Sequence, residues 1–200
     1  MTDALVLLQA ARLKGRLTLP VAQLFSSDAE AGIAALEQAG YLQGGPAGGR
    51  LTPAGRDELA RLIAAERDAA DARLLERLYA RFDPHNSELK ATISSWQLRP
   101  DGTPNDHADP AYDAEVIARL QRAHRDATDL LDELTTAVSR LGHYPVRLGT
   151  AARAVEQGDT RFVANPLADS YHQVWFELHE DLLGLLGRDR AAEAMAGRAE

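Results

Sequence analysis

Histidine is the residue type in this chain best suited to acid–base or metal chemistry. His172 and His179 sit seven apart in the run 169–187, DSYHQVWFELHEDLLGLLG. Seven residues are two helical turns, about 10 Å along one face. Chelation from a single helix wants donors three or four apart, as in a His-Glu-x-x-His zinc site. His179 has no His, Asp or Glu at those offsets, and His172 has only Asp169, better placed as a helix cap. The spacing therefore predicts no metal site but two buried histidines bonded to neighbouring helices. His107 stands between Asp106 and Asp109. That setting suits a general base, and equally a turn shaped by Asx bonds. No nucleophile motif, P-loop or dinucleotide fingerprint is present, so no cofactor is expected and an enzyme is the weakest reading.

Aromatic residues gather near these histidines in the sequence. Trp96, Tyr171, His172, Trp175 and His179 can meet if their helices pack together, with the loop Asn105-Asp106-His107 above them. Aromatic walls with a few polar groups suit a small-molecule site. The same residues equally build an aromatic core with satisfied polar tips. Glu177, Glu180 and Asp181 read as the solvated face of the 169–187 helix.

The elements that must position these groups are mostly helical. The 169–187 run has Asp169 or Ser170 as cap, Gly187 as stop, and two apolar stripes side by side, so other helices must surround it. Helix signals also cover 4–13, a short segment opened by Pro20, and 27–39, where Ser27 and Glu30 have capping-box spacing. Tyr41-Leu42-Gln43 and Arg50-Leu51 read as strands around the turn GGPAGG. Thr52-Pro53 caps a long helix, 53–82, rich in Ala at its middle and ended by Asp83-Pro84. Asp57 with Arg61 and Arg67 with Asp71 have i,i+4 spacing there. Asn86 or Ser87 caps the next helix, which carries Leu89, Ile93 and Trp96. After the polar loop 99–111, Asp109-Pro110 opens a helix to Leu141 with near-heptad apolar spacing. An amphipathic helix at 145–157 and a short Ala-rich helix at the C-terminus complete the pattern.

Three helices, a Gly-rich hairpin and the exit Leu51-Thr52-Pro53-Ala54-Gly55-Arg56 resemble the winged-helix domains of bacterial regulators of the MarR type. The resemblance covers the first third of the chain. It implies double-stranded DNA as a partner, with Arg16 before the second helix, Arg50 in the wing and Arg56 after it as contacts. In that family the helix after the turn lies in the major groove. Here that helix exposes Asp28, Glu30, Glu37 and Gln38 and has no Lys or Arg, which opposes a phosphate lattice.

Composition bounds the rest. Formal net charge is −8 over 200 residues. Residues 1–67 hold seven Lys+Arg and seven Asp+Glu, so the remainder, with 15 against 23, carries the whole deficit. Cys is absent, which excludes disulfides and thiolate metal sites. No apolar run approaches a membrane span and no signal-peptide pattern opens the chain, so a cytoplasmic protein is expected, with a composition like high-GC bacterial coding. The expected fold is mainly α: a winged helix with a small β-hairpin at 1–67, then an all-α bundle at 68–200, joined by the helix 53–82. The leading functional expectation is a homodimeric, ligand-responsive transcriptional regulator. Its effector site would use Trp96, Asn105, His107, Tyr171, His172, Trp175 and His179. The alternatives are a winged-helix module that docks a protein partner without binding DNA, and a small His-dependent enzyme.

Overall fold

The computed structural model describes residues 3–44 and 48–188. The Ala-rich C-terminal helix expected from sequence lies outside them. The chain is mainly helical with a two-stranded antiparallel sheet, and it divides into two compact units, 1–70 and 71–200. None of the described helices is long and apolar enough to cross a membrane.

The N-terminal unit runs α1 (Asp3–Lys14), α2 (Leu19–Gln23), α3 (Ala29–Gln38), β1 (Leu42–Gln43), β2 (Arg50–Leu51) and α4 (Pro53–Ala69). Leu5, Leu7, Leu8, Ala10 and Ala11 of α1 are buried, so this helix is wrapped on most sides. Leu36, Leu42 and Leu59 close the core around it. β1 pairs with β2 through Leu42–Leu51 and Gln43–Arg50, and Leu17 adds an antiparallel bridge to Gly49 just before β2. Thr18 and Thr52 cap α2 and α4 with their hydroxyls, and each helix has proline in its first turn. Gly55 is required: a Cβ there would run into the Tyr41 carbonyl oxygen. The Ser27–Glu30 capping box does not form. Asp28 occupies the N-cap of α3 without a side-chain bond, and Ser26 Oγ accepts from Asp28 N at 3.1 Å.

The expected single helix 53–82 is two helices. Ala70 is extended (φ −86°, ψ 156°), and Asp71 caps α5 (Ala72–Gln97) by accepting from Leu74 N at 3.0 Å. The cap consumes the carboxylate that i,i+4 spacing assigns to Arg67. Arg61 likewise pairs with Glu58, at 2.7 Å, where Asp57 was expected. Nor does Pro84 end a helix: it lies inside α5. An interior proline costs about 3 kcal/mol. The apolar face through Leu75, Leu78, Phe82, Leu89, Ile93 and Trp96 continues across it, and that burial outweighs the lost backbone bond. Asn86 is accordingly a buried mid-helix residue and caps nothing.

The rest of the C-terminal unit comprises α6 (Pro110–Ala137), a 3-10 turn (Ser139–Gly142), α7 (His143–Glu156), α8 (Arg161–Ala164) and α9 (Tyr171–Leu186). α6 stops four residues short of Leu141, the chain tightening into the 3-10 turn before α7. α9 is the expected central helix. Ser170 Oγ accepts from Gln173 N, Gly187 ends it at φ 64°, and it packs against α5, α7 and α8.

Candidate functional site

The three arginines expected at DNA are exposed, and two of them reach backbone carbonyls of the hairpin. Arg50 lies in β2. Arg16 Nη1 donates to Gly48 O at 3.4 Å, and Arg56 Nη1 donates to Leu51 O at 3.0 Å. The exposed positions of α3 include Glu30, Ala31, Ala34, Glu37 and Gln38, so its outer surface is acidic and small.

In the C-terminal unit, the expected ligand residues fall into two sets of contacts. The first is the loop set. Asn105 is buried, and its amide nitrogen donates to Trp96 O at 3.1 Å and to Asp113 Oδ1 at 2.9 Å. Those bonds spend both amide hydrogens. His107 Nδ1 lies 3.0 Å from Asp113 Oδ2 and must supply the proton itself, which leaves Nε2 as the open ring nitrogen. The imidazole also lies 4.3 Å from the Trp96 ring, measured between centroids. His107 has φ 58°, a left-handed conformation that costs a non-glycine residue energy. Asn105 Oδ1 holds it there by accepting from His107 N at 3.2 Å. Arg99 ties the same loop to Asp109 at 3.5 Å and lies over the Tyr112 ring. An open cleft of about 400 Å³ follows, with Trp96, Asn105 and His107 on one side and Thr160, Arg161 and Asn165 on the other.

The second set is a stack within the bundle. Phe82 lies against Trp175 at 4.9 Å, Trp175 against Tyr171 at 6.3 Å, and Phe82 against His179 at 5.2 Å. Each polar tip has a partner. Trp175 Nε1 donates to Asn86 Oδ1 at 3.1 Å. Tyr79 Oη lies 3.1 Å from His179 Nε2, and Tyr171 Oη lies 3.3 Å from His124 Nδ1. Burial pushes the Tyr171 hydroxyl up and the His124 imidazole down, both toward their neutral forms. His172 is half-buried in the first turn of α9.

A third feature overturns an expectation. Glu177 and Asp181 do not face solvent: they are 0% and 1% exposed. Arg140 and Tyr144 both donate to Asp181 Oδ2, at 2.9 and 2.6 Å. Arg147 donates through Nε to Asp169 Oδ2 at 2.8 Å and through Nη2 to Glu177 Oε2 at 2.6 Å. Gln173 completes the shell of Glu177 at 3.1 Å. Burial alone would raise the Asp181 carboxyl, but the charge and hydrogen bonds of Arg140, with the Tyr144 bond, hold it below its ordinary value. Burial, then the Arg147 charge, lowers His143 to about 3, so its ring is neutral at pH 7. Among the described residues, no buried side-chain nitrogen or oxygen lacks a partner. Two guanidinium groups and three carboxylates thus lock the end of α6, through its 3-10 turn, and α7 onto α9. The signal was present as Arg140, Tyr144 and Arg147 at helical spacing, matched by Glu177 and Asp181 four apart.

No protein-family model, no curated protein and no solved structure matches this chain.

Proposed function

We propose that the protein is a two-part regulator. Its N-terminal unit is a winged helix that meets duplex DNA, and its C-terminal bundle senses a small effector, acting as a homodimer in the cytoplasm. The observation that carries this reading is the Leu17–Gly49 bridge. With that one-residue bridge in the place of a first strand, the unit follows the order of a winged helix, and Arg16 just before Leu17, Arg50 in β2 and Arg56 in the first turn of α4 lie near the hairpin. The acidic α3 alters the mode of contact. Carboxylates cannot approach phosphates without cost, so the duplex is held at the wing through its backbone, with α3 turned off the groove. The effector site is the cleft beside His107, where Nε2, Thr160 and Asn165 offer polar groups around Trp96. Tyr171, Trp175 and His179 are occupied in packing, which supports their role as the floor of the bundle.

The test is titration of labelled duplex, from the region upstream of the coding sequence, over a range of salt. Three phosphate contacts per protomer give a slope of log K against log salt of about −3, or about −5 to −6 for a dimer. Arg16→Ala, Arg50→Ala and Arg56→Ala should each reduce that slope by about 1. Absence of binding at low salt, even to long duplex, would reject the DNA-binding half of the reading.

A further inference from the structure

From Leu17 to Gly49 the chain contains no Lys, Arg or His and three carboxylates, Asp28, Glu30 and Glu37. All three are exposed, and none is paired with a cation among the described residues. They border a furrow made of two adjoining hollows, about 320 and 500 Å³, that share Leu19 and Glu30. Its apolar lining comes from Leu19, Pro20 and Ile33 in one hollow and Ala31 and Ala34 in the other. Leu19 is 39% exposed and lines both hollows. Exposed apolar groups ringed by carboxylates form a surface whose complement carries apolar anchors and positive charge.

We infer that this furrow docks an amphipathic helix of a partner protein carrying apolar anchors flanked by Lys or Arg. A helix fits better than a strand, because β2 is already paired with β1 on one side and the residue before it, Gly49, with Leu17. Side-chain recognition in a groove is then the remaining mode. Glu30 and Glu37 are two turns apart, about 10 Å along α3. The matching helix places cations at i and i+7 with leucine-like residues between them. This docking is independent of the wing arginines, so it stands whether or not the protein binds DNA.

The experiment uses the full-length protein and a dye-labelled 14-residue helical peptide of Leu and Lys, with lysines at i and i+7. A peptide with Glu in place of Lys serves as control. Amide chemical shifts should move within residues 17–37 for the Lys peptide only. Its affinity should fall at least tenfold in the double variant Glu30→Lys/Glu37→Lys and in Leu19→Asp, with thermal unfolding of both variants unchanged. Equal binding of the two peptides, shifts centred outside residues 17–37, no binding, or an unaltered affinity in the double variant would overturn the proposal. Peptide affinity unchanged in Arg50→Ala, whether or not that variant binds duplex more weakly, would support a surface separate from the wing.

Discussion

Glu30 and Glu37 of α3 stand in water without a cation, whereas Glu177 and Asp181 of α9 are sealed inside the bundle against two arginines. Both pairs sit on one face of a helix at ordinary helical spacing. The difference lies in what the facing element supplies. α7 and the turn before it present Arg140, Tyr144 and Arg147 to α9. The chain on either side of α3, from Leu17 to Gly49, holds no Lys, Arg or His. In the C-terminal unit charge serves to fix packing. On α3 of the N-terminal unit it stays on the surface, exposed to water. Isolated surface carboxylates contribute little to stability, whereas breaking a buried ion pair strands the remaining charge.

The largest expected effect would break this comparison most directly. Asp181→Ala should cost about 3–5 kcal/mol by leaving Arg140 buried without its counter-ion. Both tryptophans, Trp96 and Trp175, belong to the C-terminal unit, so urea unfolding followed by tryptophan emission reads that unit alone. A loss under 1 kcal/mol would show that the network does not hold the bundle. The pair Arg140→Met/Asp181→Leu should lose far less than the sum of its single variants, since no charge is then stranded.

Acid titration comes next. His143 has its folded value near 3 against about 6.5 in the unfolded chain. As pH falls below 6.5, only the unfolded state takes the proton, so stability is lost progressively down to about pH 3. The loss should reach roughly 2–4 kcal/mol, allowing for partial solvent exposure of the ring. Asp181, held below the ordinary carboxylate range, adds a second loss as pH falls from about 4 through its folded value. His143→Phe should flatten the upper part of the curve. All six histidines lie beyond residue 70, so the N-terminal unit should be insensitive between pH 7 and 5. Amide exchange in α1, followed over the same range, checks this.

Gly55→Ala sharpens the contrast from the other side. The added methyl would meet the Tyr41 carbonyl, costing about 1–3 kcal/mol in the N-terminal unit while tryptophan emission of the bundle stays unchanged. The smallest effect belongs to Glu37→Ala, expected within about 0.5 kcal/mol in thermal unfolding. A large loss there would mean that this carboxylate holds structure after all.

What the sequence reveals follows the range of the forces involved. Caps act within one turn, so Thr52-Pro53, Asp109-Pro110, Ser170 and the Gly187 stop are legible from local residues. The apolar girth of α9 is legible for the same reason. The break at Ala70 was hidden because Asp71 serves equally as a surface partner or a cap. Pro84 misleads because its local cost is overridden by burial along the whole of α5. Glu177 and Asp181 look solvated until the chain returns Arg140 and Arg147 from some 30 to 40 residues upstream. At the cleft, His107 and Asn105 stand out as polar loop residues, but Asp113 sets the His107 tautomer and the orientation of both side chains from the first turn of a different element.

The buried network also bears on how the sequence can drift. Arg140, Arg147, Asp169, Glu177 and Asp181, with Tyr144, depend on one another, so that replacing one charged member leaves another short of a partner. Single steps away from this set are therefore penalised, while exposed positions elsewhere change freely. Relatives too diverged for ordinary comparison should still share Arg-x3-Tyr-x2-Arg followed, 30 residues after the second arginine, by Glu-x3-Asp. Lineages that have lost the set should have lost it whole, with apolar residues at all of its positions.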